Sequence, residues 1–174
     1  MRNFTIRSAG AADMGAVAGI YCHAVRFGTA SFELDPPDET EMARRYRAIV
    51  DDGYPYLVAE NGQAILGYAY AGAYRARPAY RWTVEDSVYV APDAQGQGVG
   101  RALLETLIVE AERRGFRQMI AIIGDSAQAA SIALHRAAGF RLIGALEAVG
   151  FKHRRWLDTV LMQRSLGPGA RVDP

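Results

Sequence analysis

The stretch Gln95-Gly96-Gln97-Gly98-Val99-Gly100-Arg101 constrains this chain most, because alternate glycines separate a strand-like run from an amphipathic helix. Before it, Trp82–Val90 is rich in β-branched and aromatic residues. After it, Leu103, Leu104, Leu107, Ile108 and Ala111 fall on one helical face. Glycine lets backbone come close to a ligand, and the first turn of a helix offers unpaired N–H groups at its positive dipole end. A turn built this way suits a pyrophosphate, and Arg101 can add a charge-assisted contact. Two other phosphate loops fail on spacing. No Gly-Lys-Ser/Thr closes the turn as a Walker A loop requires. The dinucleotide fingerprint would need glycine at 101 or 103, where Arg101 and Leu103 stand.

The remaining pattern is a mixed α/β succession. Phe4-Thr5-Ile6 alternates like a first strand, and Ala12–Phe27 has helix-spaced apolar residues. Asp38 or Thr40 can cap a helix running to about Val50 after the break at Pro36-Pro37. Tyr56–Glu60 and Ala64–Ala73 read as strands joined by Asn61-Gly62, a strong hairpin signal. Gly115 should end the helix after the glycine-rich turn, and Gly139 a second helix over Ala129–Ala138. Strands are expected at Gln118–Ile123, Arg141–Val149 and Arg155–Gln163. Hairpins first and a strand–helix–strand crossover later imply a mixed sheet. With 174 residues, the chain is expected to form one domain over residues 1–166, followed by a flexible tail over 167–174 rich in Gly and Pro.

Charge narrows the partners. Twenty basic residues against 19 acidic give a net charge of +1, which supplies no electrostatic reason for nucleic acid or an anionic membrane. The lone Cys22 excludes an internal disulfide and fits a reducing, cytoplasmic setting. Met1–Ser8 lacks a signal peptide's apolar core, and no stretch has membrane-spanning length. His23, His135 and His153 are scattered without cysteine partners at zinc spacing, so no metal site is expected.

Alternation along Trp82–Val90 puts Glu85, Ser87 and Tyr89 on one face, with Val84, Val88 and Val90 on the other. A carboxylate inside an apolar strand faces water, a partner or a substrate. Glu85 is therefore either a solvated or arginine-paired group or a base candidate, and a strand bulge would exchange its facing with that of Asp86.

Gln95-x-x-Gly98-x-Gly100 matches the Q/R-x-x-G-x-G/A motif and resembles the GNAT superfamily of N-acetyltransferases, whose strand and helix order the chain shares along nearly its whole length. The run Trp82–Val90, then His135, then Gly150-Phe151-Lys152-His153-x-x-Trp156-x-Asp158, is similar to the phosphinothricin and methionine sulfoximine acetyltransferase branch. The resemblance implies a single α/β domain with a mixed, mostly antiparallel sheet of about seven strands and helices on both faces. It implies acetyl-CoA as co-substrate, its pantetheine arm on the backbone of Val88, Tyr89 and Val90, and Glu85 as general base. A histidine at 135, four residues before Gly139-Phe140, departs from the tyrosine common in the superfamily and agrees with this branch; it is the acid candidate for the leaving thiolate, or else a packing residue. Gln128 stands where the branch has an asparagine contacting CoA. Ser131 either contacts the cofactor or bonds back to its own helix.

The acceptor side is expected in Thr29–Glu33 and Tyr74–Arg77. Phe32 and Tyr74 would wall a pocket, Arg75 or Arg77 would clamp a carboxylate, and Phe151 and Lys152 would close it, across a homodimer interface if the chain pairs as relatives do. The expected reaction is acetyl transfer to a small amino-acid-like amine. A different amine (a polyamine, a drug or a peptide N-terminus) and a non-catalytic acyl-CoA-binding module are the alternatives.

Overall fold

The computed structural model describes residues 3–174; Met1 and Arg2, where the expected 1–166 domain begins, lie outside the described residues. The elements run β1 (Thr5–Ser8), α1 (Met14–Phe27), α2 (Glu39–Asp51), β2 (Tyr56–Glu60), β3 (Ile65–Ala73), β4 (Thr83–Val90), α3 (Val99–Arg113), β5 (Gln118–Gly124), α4 (Ala129–Ala137), β6 (Arg141–Lys152) and β7 (Arg155–Ser165). One seven-stranded sheet has the order β1-β2-β3-β4-β5-β7-β6. Among the described residues only β4 and β5 pair in parallel, and helix α3 makes the crossover that a parallel pair of successive strands requires.

Both faces of the sheet are covered, so its central strands are apolar on both sides. Met14, Val17, Ile20, Tyr21 and Val25 of α1 and Met42 of α2 pack on Tyr56, Val58 and Tyr68. Leu103, Leu104, Leu107, Ile108 and Ala111 of α3 pack on Leu57, Ala59, Ala69, Ala71 and Val84 across the sheet. Each fully buried leucine among them is worth about 1.5–3 kcal/mol.

The expected helix ends are found with their chemistry. The Asp38 side chain caps α2 by accepting from Glu41 N–H. After α3, Gly115 N–H donates to Glu112 C=O and Phe116 N–H to Ala111 C=O; after α4, Gly139 N–H donates to Arg136 C=O and Phe140 N–H to His135 C=O. Both are paired Schellman closures, and both glycines have positive φ, 86° and 85°.

The expected hairpin at Asn61-Gly62 joins β2 to β3: the connection is Asn61–Ala64, Gly62 has positive φ (82°), and Asn61 Oδ1 accepts from Gln63 and Ala64 N–H. The last two strands are longer than expected, and β6 is a sheet edge broken by irregularities at Leu142/Gly144 and Leu146/Gly150. The segment 167–174, expected as a flexible tail, folds back in turns held by Gly169 N–H to Leu166 C=O and Arg171 N–H to Pro168 C=O.

Candidate active site

The site begins where β4 and β5 part. Their pairing runs from Thr83 opposite Gln118 to Asp86 opposite Ala121 and stops. Beyond that, Ser87–Val90 stay on β3 and Ile122–Gly124 stay on β7. The strand edges facing each other across the gap have no ladder, so their backbone groups are free for a ligand. A cavity of about 50 Å³ fills the apex, lined by Asp86, Ser87, Val88, Ala121, Ile123, Ser131 and His135. It shares Ala30, Val88, Tyr89 and Ser131 with a groove of about 700 Å³ that extends to the glycine-rich turn.

The glycines of that turn have separate jobs. Gly96 and Gly98 take positive φ (74° and 82°), and a side chain on either would project into open space. Gly98 caps α3, and the first helical bond runs from Ala102 N–H to Gly98 C=O. The N–H groups of Val99, Gly100 and Arg101 precede that bond, so no helical carbonyl lies behind them to accept. Gly100 is a packing glycine, since a Cβ there would lie 3.3 Å from Val90 Cγ2.

Of the expected cofactor residues, Val88, Tyr89, Val90, Gln95, Gly96, Gly98, Val99, Gly100, Arg101, Gln128 and Ser131 line this one groove. Gln97 is not among them; its amide donates to Asp93 C=O. Arg101 is exposed and paired with Glu105 at 2.7 Å. The Gln128 amide donates to Thr29 Oγ1 at 2.9 Å, tying α4 to the 28–33 loop.

β4 carries no register shift against β3, so the expected alternation holds. Glu85 pairs opposite Gly72. Burial, and then the charge of Asp86, push its carboxyl up to about 7. Asp86 and Val88 face α3 and α4 instead. There His135 Nε2 meets Asp86 Oδ2 at 3.0 Å and His135 Nδ1 meets Ser131 C=O at 2.8 Å, with both side chains almost fully buried. Burial works against the imidazolium, but the hydrogen bond and charge of Asp86 and the Ser131 carbonyl outweigh it, and the His135 pKa is raised. Both ring nitrogens are thus spent on fixed acceptors.

On the acceptor side the structure brings together the 28–33 loop, the end of β5 and the β6–β7 hairpin. Lys152 is buried, and its Nζ donates to Ser31 C=O at 2.6 Å. The Phe32 ring lies over Gly124 and Gly150, where a Cβ would come within 2.8 Å and 2.3 Å of it. Phe151 remains exposed, edge-on to Trp156 at 5.3 Å between centroids. Tyr74, Arg75 and Arg77 follow β3 near the start of β4, and none lines the groove or the apex cavity. Arg75 stacks over Tyr74 and Tyr80, at 5.2 and 5.9 Å.

Several groups that hold this site carry no motif in the sequence. Asp125 (φ 73°) accepts from Thr29 Oγ1, Ala127 N–H and Arg155 Nη2. Tyr21 OH bonds Ser31 and Glu33, and Arg45 pairs with Glu33 at 2.6 Å. Gly124-Asp125-Ser126 has the composition of a turn, the one signal that could have flagged Asp125. Among the described residues no cluster of His, Cys, Asp and Glu could hold a metal ion, and no helix is long and apolar enough to cross a membrane.

Known proteins carry the same frame. Residues 20–140 match the acetyltransferase (GNAT) family. A phosphinothricin N-acetyltransferase of Alcaligenes faecalis is 58% identical over 98% of this chain and 86% of its own length. An L-methionine sulfoximine/L-methionine sulfone acetyltransferase of Salmonella typhimurium is 43% identical over 97% of this chain and 98% of its own. A phosphinothricin acetyltransferase from Sinorhizobium meliloti, crystallised with acetyl-CoA, superposes with a TM-score of 0.95 at 51% identity, covering 99% of this chain and 93% of that one. A glycine-capped helix facing a parted strand pair, and these relatives across the whole length, make this chain a member of the GNAT family of acetyltransferases.

Proposed function

We propose that the protein transfers acetyl from acetyl-CoA to the α-amine of a small amino-acid-like acceptor of the phosphinothricin, methionine sulfoximine or methionine sulfone type. The observation that carries this reading is the continuity of the groove with the apex cavity, one strand face away from Glu85. With the pyrophosphate on the N–H groups opening α3, the thioester end of the pantetheine arm reaches the apex, alongside the free backbone of Val88, Tyr89 and Val90. The relatives that act on those acceptors lend the substrate class.

In this reading Glu85 is the base. An ammonium has no lone pair, and a carboxyl near 7 is ionised enough at neutral pH to accept its proton yet basic enough to hold it. The amine then bonds to the thioester carbon, its nitrogen gives up its second proton through Glu85 to solvent, the C–S bond breaks, and that bond's electron pair leaves on sulfur. His135 serves the acid side: as an imidazolium whose two N–H groups are held by Asp86 and the Ser131 carbonyl, it opposes the thiolate's charge, and the sulfur takes its proton from solvent. Gln128 and Ser131 line the arm's path. Phe32, Phe151 and Lys152 shape the acceptor pocket.

The exposed apolar residues of the β6–β7 hairpin, Leu142, Ile143, Leu146, Val149 and Trp156, support a homodimer that would seclude this pocket, and the setting is cytoplasmic. Light scattering after size exclusion measures the dimer. The function is tested by following thiol release from acetyl-CoA over a panel of phosphinothricin, methionine sulfoximine, methionine sulfone, ordinary amino acids and polyamines. The first three should have the highest kcat/KM; equal or better turnover of the others overturns the reading.

A further inference from the structure

Asp86 stands apart from the residues given a role above. Its side chain is 1% exposed, it lines the apex cavity, and its Oδ1 has no hydrogen-bond partner. A buried carboxylate with an idle oxygen is costly unless its charge is used. The other oxygen binds His135 Nε2, whose ring is gripped from behind by the Ser131 carbonyl on Nδ1. A carbonyl only accepts, and an ionised carboxylate only accepts. A ring bonded to two acceptors satisfies both bonds only by carrying both protons.

We propose that Asp86 is a positioning residue that holds His135 as an imidazolium at the apex of the β4–β5 split, beneath the place where the CoA sulfur becomes a thiolate. This rests on the transferase reading above and assigns the group that charges its acid. Ala121 and Ile123 of β5 in the shared cavity, Ser131 on its own helix, and the Phe140 ring edge-on at 5.1 Å are uncharged neighbours. Among the described residues, Asp86 is the one charged group that moves the titration of His135. Between a carboxyl and an imidazole the proton belongs on the more basic imidazole.

Asp86 acts in a second direction. Its charge also raises Glu85, on the opposite face of the same strand. Loss of that one charge therefore lowers the base and the acid together.

The test is the Asp86→Asn variant, which keeps the shape and an acceptor oxygen but removes the charge. With histidine labelled by ¹⁵N, the three rings (His23, His135, His153) are titrated in the full-length protein. In the wild type, His135 should hold both protons at pH 7.5; in Asp86→Asn it should be neutral there. Both limbs of the kcat–pH profile should move to lower pH, with kcat about tenfold lower at pH 8 and recovered on acidification, while the KM for acetyl-CoA stays within about twofold. A neutral His135 in the wild type at pH 7.5, or an unmoved profile in the variant, overturns the proposal. If Asp86→Asn fails to fold, the wild-type titration decides alone. It also decides if no acceptor of the panel is turned over, so failure of the transferase reading remains separable from failure of this one.

Discussion

Replacing Glu85 by glutamine should make the protein more stable and far less active, and the stability gain should depend on pH in one direction only. The carboxyl is half-buried, faces no cation, and is raised from 4.5 to about 7, by burial first and the Asp86 charge second. A folded-state pKa above the unfolded one means that the unfolded chain ionises first. No penalty exists below about 4.5; it grows as pH rises toward 7 and is complete above it. Taken at face value, the rise from 4.5 to about 7 amounts to roughly 3 kcal/mol. Because the group is partly open to solvent, screening reduces that to about 1.5 kcal/mol. Urea unfolding of wild type and Glu85→Gln at pH 5 and pH 8 reads the effect, and subtracting the two pH values removes any constant contribution of the amide. The stability advantage of the variant should increase by about 1 kcal/mol across that range, while kcat at pH 8 falls about a hundredfold or more and acetyl-CoA affinity holds. An advantage that shrinks or stays constant with rising pH refutes the account of a desolvated carboxylate, and unchanged turnover removes Glu85 as base.

Gly98→Ala forces a side chain to adopt φ near 82°, costing about 1–2 kcal/mol by thermal or urea unfolding, and should weaken acetyl-CoA binding about tenfold by calorimetry through the N–H groups it misplaces. Gly150→Ala drives a Cβ to 2.3 Å from the Phe32 ring; steady-state kinetics should show a raised acceptor KM with the acetyl-CoA Kd unchanged, at a stability loss of about 1–3 kcal/mol. His135 has a folded pKa raised above its ordinary 6.5, so its pairing with Asp86 stabilises fully below 6.5 and the contribution fades as pH climbs through the folded value. The stability difference between wild type and His135→Gln should therefore narrow from pH 6 to pH 9 in urea titrations.

Much of this architecture is local, and local chemistry is legible. Gly115 and Gly139 end helices because the backbone there must turn left-handed, and Asp38 caps because a carboxylate three residues before a free N–H can reach it. The Gln95–Arg101 turn is legible for the same reason: its conformation lies in the backbone of consecutive residues. Glu85 was readable as a facing, since alternation in an unbulged strand fixes it. What Glu85 titrates at was not readable, because burial is a property of what packs above.

Other features depended on residues far apart in the chain. Asp86 and His135 are 49 positions apart, Lys152 and Ser31 121, and no spacing rule joins them. The sequence by itself determined the fold class, the glycine-rich turn and the strand face on which Glu85 stands, all set by periodicity and backbone chemistry. Only the tertiary structure decided where β4 and β5 part, and that the parted end is closed by a buried Asp86–His135 pair. Those depend on which strand edge finds a partner and which charge finds a counterpart once the helices have packed.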